Sequence, residues 1–188
     1  MKVKQISPEQ FLTTVWSGGI TEEILIYPPE AIYPNRDFIY RISTAIVESQ
    51  ESVFTPLPDF IRYLAPLNGP LSLVVGLEKI ELEPFAVLEF DGAEKVASCG
   101  RPGLRDLNLM VRKGHRGNLK IIKDGLVLEP TYTQVILCIK LDGSGAFLEI
   151  TESWLIPKGT KPDSIPWNEA GSNRATVFAV FTLPEACY

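Results

Sequence analysis

The chain has 188 residues, 45% apolar and 22% charged, enough to bury a real core in one domain or two closely fused halves. Its formal net charge of −5 and sequence pI of about 5.0 argue against a nucleic-acid binder, which would carry a basic stripe with interleaved aromatics. Fifteen prolines and fourteen glycines, scattered along the whole length, suit many short strands and turns better than a few long helices.

Met1 to Phe11 carries two lysines but no apolar stretch of signal-peptide length, so no secretory leader is expected. Ser7-Pro8-Glu9-Gln10 has the marks of a helix start: a capping serine, a proline in the first turn and a glutamine at the capping-box position. Trp16-Ser17-Gly18-Gly19 would break that helix, so it is short. From Thr21 onward the pattern predicts strand after strand: Glu23 to Tyr27, Phe38 to Val47, Phe60 to Leu67, Leu71 to Leu77, Pro84 to Phe90 and Asp106 to Arg112. The second half continues with Leu119 to Ile122, Val127 to Leu128, Thr133 to Leu141, Ala146 to Ile150, Trp154 to Ile156 and Thr176 to Thr182. Asp142-Gly143-Ser144-Gly145 reads as a hairpin connection, and Lys158 to Ser172, with Pro162 and Pro166, as the long loop. Short antiparallel strands at this spacing predict an all-β sandwich, jelly roll or small barrel, and periodicity does not choose among these.

No apolar run approaches the roughly 20 residues that span a bilayer, so no membrane partner is expected. Cys99, Cys138 and Cys187 are far apart and odd in number, which suits a reducing compartment, and the cytoplasm is the expected location. Cys138, within an apolar run, reads as a small core residue rather than a nucleophile. Arg112, Lys113, His115 and Arg116 read as a glycine-flanked turn with solvated charges rather than a phosphate site.

Alternate residues of a strand point to opposite faces, so the parity of polar residues is informative. Arg41 and Ser43 share one face, with Phe38, Tyr40 and Ile42 on the other. Asp106, Asn108, Met110 and Arg112 share a face, while Leu107, Leu109 and Val111 make the opposite one wholly aliphatic. Thr21 and Glu23 also share a parity. Solvent faces tend to hold Lys, Glu, Thr and Gln, whereas these hold Arg, Ser, Asp, Asn and Met. Such side chains orient a small polar ligand in a barrel mouth, and an arginine can grip a carboxylate in bidentate fashion.

Four segments carry a family resemblance. Trp16-Ser17-Gly18-Gly19-Ile20-Thr21-Glu22-Glu23-Ile24 resembles the Trp-x-Gly-Gly-x-Thr-x-Glu-Ile opening of the HutD/Ves family. Phe38 to Ala45 is similar to that family's aromatic-Arg-hydrophobic-Ser strand. Phe54 to Arg62 is similar to its segment running Phe, then Pro, then an Arg that opens the next strand. The family usually has Phe-Pro-Gly followed by Asp-Arg, whereas here two apolar residues separate Asp59 from Arg62. Asp106 to Gly114 is similar to its Asp-hydrophobic-Asn-hydrophobic-Met block ending in basic residues and glycine. From Arg116 onward the chain matches only in general character.

The resemblance implies a cupin-like antiparallel β-barrel or jelly roll, with a bicupin arrangement of two barrel-like halves in one 188-residue unit, roughly 1–117 and 118–188. In some relatives it also implies control of histidine utilisation through binding of a pathway metabolite. Parity and motifs converge on a ligand site in the N-terminal half formed by Thr21, Glu23, Arg41, Ser43, Arg62, Asp106 and Asn108, with a small anionic metabolite as partner.

With His115 as its only histidine, the chain hardly supplies a transition-metal site, and a catalytic triad meets the same difficulty. No metal, cofactor or catalytic residue is therefore expected, and the function expected is non-enzymatic, regulatory binding. The enzymatic alternative is a metal-free isomerase or lyase with Glu23 and Asp106 as acid and base. A homodimer is compatible with either. Trp16, Trp154 and Trp167 read as core or lid packing.

Overall fold

A computed structural model of the chain describes residues 3–122, 135–142, 149–157, 159–160 and 176–183. The strands in chain order are β1 (Lys4–Gln5), β2 (Leu12–Trp16), β3 (Gly19–Tyr27), β4 (Tyr40–Val47), β5 (Glu51–Val53), β6 (Phe60–Pro66), β7 (Leu71–Val75) and β8 (Glu78–Leu82). They continue as β9 (Leu88–Asp91), β10 (Val96–Cys99), β11 (Leu104–Arg112), β12 (Asn118–Ile122), β13 (Val135–Asp142), β14 (Glu149–Ile156) and β15 (Thr176–Leu183). Every pairing between them is antiparallel. The fold is all-β, as the turn-rich sequence predicts.

The expected helix at Ser7 shrinks to a single 3-10 turn, Pro8–Gln10. Half of its capping box is present, because the Ser7 N–H donates to the Gln10 side chain at 2.9 Å. The residues that follow, Thr13-Thr14-Val15, are β-branched and favour an extended backbone, so Leu12–Trp16 pairs with β3 instead of continuing a helix. The turn between β2 and β3 explains the two glycines. A Cβ on Gly18 would lie 2.1 Å from the Trp16 ring, and one on Gly19, at φ +151°, would lie 2.1 Å from the Ile46 carbonyl oxygen.

Besides β2, four short strands, β1, β5, β8 and β10, were not expected; each offers few apolar residues among exposed or charged ones. The strand expected at Pro84 begins only at Leu88, because Phe85 takes a left-handed φ of 71° in a turn closed by Ala86 N–H donating to the Glu83 carbonyl. In the second half, β14 runs unbroken through the gap expected between Ile150 and Trp154. Val127–Leu128, Gly143 to Gly145 and most of Lys158 to Ser172 lie outside the described residues.

The chain divides into two compact units, Phe11–Arg116 and a second that joins Met1–Gln10 to Gly117–Tyr188. The first contains a six-stranded sheet, in the order β2-β3-β4-β11-β6-β9, and a four-stranded sheet, β5-β10-β7-β8. Leu64, Phe90 and Leu104 of the larger sheet pack with Leu71, Leu73, Leu82 and Val96 of the smaller one, so these inward faces share a core. The second unit is a five-stranded sheet, β1-β14-β13-β15-β12, whose buried side chains include Leu137, Ile139, Trp154 and Phe181. Its N-terminal strand is tied in by Ser153, which donates from Oγ to the Ile6 carbonyl at 2.6 Å. Among the described residues no helix is long and apolar enough to cross a membrane.

Candidate functional site

Cross-strand register puts the polar residues of the larger sheet on one face. Asn108 of β11 lies opposite Ser43 of β4, which lies opposite Glu23 of β3. One pair further along, Asp106 faces Ala45 and Ala45 faces Thr21. In the other direction Met110 lies between Arg41 of β4 and Arg62 of β6, and Arg62 lies opposite Phe90 of β9. Directly opposed residues share a face, and Leu64 and Phe90 on that face belong to the core between the two sheets. All seven residues singled out in the sequence therefore lie on the inward face. Five of them, Arg41, Ser43, Arg62, Asp106 and Asn108, are buried, and Thr21 and Glu23 are half-buried.

Phe38 does not side with Tyr40 and Ile42; β4 begins at Tyr40, and Phe38 ahead of it packs inward with Phe60 (ring centroids 4.5 Å) and Met110. Alternation holds only within the strand.

On the β3–β4 side the groups are already engaged. Arg41 donates from Nε to Glu23 at 2.6 Å and from Nη1 to Ser43 Oγ at 3.2 Å, and its guanidinium lies 4.3 Å from the centre of the Tyr33 ring. Thr21 accepts from the Trp16 indole at 3.1 Å, so it clasps the β2–β3 hairpin, and Trp16 is partly exposed rather than core.

On the β6–β11 side they are not. Arg62 Nε, Asp106 Oδ1 and Asn108 Oδ1 are buried with no hydrogen-bond partner among the described residues. Each orphaned buried polar group costs about 1–3 kcal/mol, and three together rival a large part of a domain's total stability of roughly 5–15 kcal/mol. Burial pushes the Arg62 guanidinium down to about 10, which leaves it charged at neutral pH. Its charge rests against the Phe54 and Phe90 rings at 4.8 and 5.3 Å. Burial pushes the Asp106 carboxyl up to about 7, against the opposing pull of a backbone hydrogen bond at Ala45 and the charges of Arg62 and Arg105. Asp106 forms no ion pair among the described residues, so only Glu23 of the two carboxylates enters an arginine pair on this face.

Sequence reasoning missed Tyr33, Arg36, Phe54 and Phe90. Tyr33 sits in a single 3-10 turn, Tyr33–Asn35, with the guanidiniums of Arg36 and Arg41 at 3.8 and 4.3 Å from the centre of its ring. These aromatics lie outside the strands whose parity was informative, so nothing in the sequence tied them to the arginines. Arg112 shared the parity but was assigned to a solvated turn. It is instead a brace, donating from Nε to the Phe38 carbonyl at 2.9 Å and from Nη2 to the Arg36 carbonyl, with its guanidinium against Phe60. Lys113, His115 and Arg116 are exposed, as is Asp59.

Among the described residues no group of three or more His, Cys, Asp and Glu is placed to hold a metal ion. Cys99 is exposed and unpaired.

The HutD family model matches residues 9–148. No curated protein matches the chain. Solved structures do. HutD from Pseudomonas fluorescens SBW25, in a formate condition, is 18% identical over 98% of this chain and 99% of its own, with a TM-score of 0.69. A conserved protein of unknown function from Pseudomonas aeruginosa PAO1, PA5104, is also 18% identical, over 98% and 94%, at 0.67. A cupin 2 conserved barrel domain protein from Leptotrichia buccalis is 14% identical over 98% of both chains, at 0.52. At these identities the likeness establishes a shared cupin-like fold.

Proposed function

The chain belongs to the HutD family, and on that premise we propose that it is a non-enzymatic, regulatory cupin-like protein that binds a small carboxylate on the inward face of its larger sheet. The observation that carries this reading is the unpartnered Nε of the charged Arg62, buried on the same face as the orphaned oxygens of Asp106 and Asn108. A bound carboxylate would accept from Arg62, and the Asn108 amide can turn its nitrogen toward the ligand. Arg41, whose Nε and Nη1 are spent on Glu23 and Ser43, takes a supporting part rather than the bidentate grip its residue type suggests.

The family resemblance supports a link to histidine utilisation, a bicupin description of the two units, kinship with Ves and a cytoplasmic location. The formate condition of the Pseudomonas fluorescens HutD structure makes formate a natural first probe. A thermal-shift panel of formate, acetate and larger carboxylates tests the reading: a saturable rise in melting temperature, lost in Arg62→Met, is expected. No shift with any carboxylate at any pH between 5.5 and 8.5 would overturn it.

A second reading has one observation in its favour. A carboxyl that titrates near 7, as Asp106 does, suits a general acid or base at neutral pH. Mass analysis of each stabilising ligand after incubation separates the two, since turnover supports an isomerase or lyase.

A further inference from the structure

We infer that Asp106 meets the bound anion as a neutral acid, donating a hydrogen bond to it, so that filling the site draws one proton from solvent. This rests on the carboxylate reading above and adds to it the protonation state of the site. Asp106 is 5% exposed, its Oδ1 has no partner, and it shares the inward face with Arg62 and Asn108. Along β11 it stands four residues from Met110, the residue opposite Arg62, and no ion pair joins Asp106 to Arg62. The unsatisfied donor and the unsatisfied carboxyl are thus held on one face without meeting.

The charges around Asp106 decide what an incoming anion finds. From β6 it feels Arg62, and from its own strand Arg105, which turns to Glu22 of β3 at 3.6 Å. On the same face Glu23 and Arg41 neutralise each other. Beyond Arg62 stand Tyr33 and Arg36, both of which act on the Arg62 charge. One buried cation, Arg62, therefore remains to balance one negative charge. With a carboxylate bound, an ionised Asp106 would make two negative charges against it in a site of low dielectric, and like charges that close do not both persist. The balanced arrangement is a charged Arg62, an ionised ligand and a protonated Asp106 whose hydroxyl donates to the ligand oxygen. The proton comes from the buffer, and no covalent bond changes. The raised affinity of Asp106 for its proton in the absence of ligand agrees with this and makes the uptake small in energy near neutrality.

The test is calorimetric titration of the full chain with formate, which stays ionised across the range, at pH 6, 7 and 8.5 in buffers of different ionisation enthalpy. At pH 8.5 the buffer dependence should report close to one proton taken up per formate, and affinity should fall about tenfold per pH unit above 7. Asp106→Asn, a neutral isostere, should bind formate with no uptake and with affinity level from pH 6 to 8.5. Binding to the unaltered chain at pH 8.5 with no proton uptake overturns the inference and leaves the carboxylate reading standing. Absence of binding by formate and by every other carboxylate of the panel, at every pH, overturns both. The measurement on the unaltered chain decides the matter even where the variant fails to fold.

Discussion

Arg41 and Arg62 flank the same residue, Met110, from neighbouring strands; both are 6% exposed, and both lie against aromatic rings. They differ in what the sheet supplies. Arg41 has a carboxylate at 2.6 Å and a hydroxyl at 3.2 Å, whereas Arg62 has phenyl faces and an Nε with no partner. Burial and residue type alone would rank the two as equals. Only the satisfaction of their donors separates the guanidinium that braces the sheet from the one with an unmet donor, which the proposed function gives to a ligand.

Four substitutions probe that difference. Glu23→Ala should be the most damaging, because it strands a buried guanidinium; a loss of roughly 3–5 kcal/mol in denaturant unfolding is expected. A loss below about 1 kcal/mol would mean that Arg41 is no more committed than Arg62. Asp106→Asn should act in the opposite direction and depend on pH. In the folded chain Asp106 keeps its proton up to about pH 7, while unfolded it loses it near 3.8. The native state therefore binds more protons between these values, and stability falls as pH rises through that window and then levels. The penalty removed by asparagine should grow from pH 4 to pH 8 to at most about 4 kcal/mol, as read from melts of both proteins across that range.

Arg62→Met should leave the fold as stable as before or more so, since it replaces an uncompensated buried charge with an apolar chain. The same change should weaken formate binding by about 10- to 150-fold, the worth of one charged hydrogen bond of roughly 1.5–3 kcal/mol. Arg41→Met should show the reverse, with stability the larger casualty. Lys113→Ala is the control. Its partner Asp91 lies at 2.8 Å on the open surface, and the melting temperature should not move.

Much of this face was legible in the sequence because strand alternation is a hard geometric rule. Arg41 with Ser43, and Asp106 with Asn108, share a face in any strand, and an aliphatic Leu107-Leu109-Val111 opposite them could only be buried. Pairing between strands was not legible. Nothing in residues 54 to 90 announces that Phe54 and Phe90 close on Arg62, because that contact depends on the pairing of β6 with β9 and on the path of the segment leading from β5 into β6. The protonation of Asp106 was equally hidden, since its cause is desolvation and not a neighbour in sequence. The helix expected at Ser7 failed for a local reason: the capping signal was real, but Thr13-Thr14-Val15 behind it had a strand to join.

The interleaved order of the two units has a consequence for the chain as it is made. Residues 11–116 leave the ribosome as a complete pair of sheets, but β1, emerging earlier still, pairs with Trp154 and Leu155. At roughly 5–20 residues per second, the first strand waits about 8–30 seconds for its neighbour to be synthesised. During that interval Lys4 and Gln5 are a tether without a dock, and both are exposed, polar residues even in the finished sheet. A leading strand that must idle beside a nascent chain is least hazardous when it is short and hydrophilic, and β1, at two residues, is both.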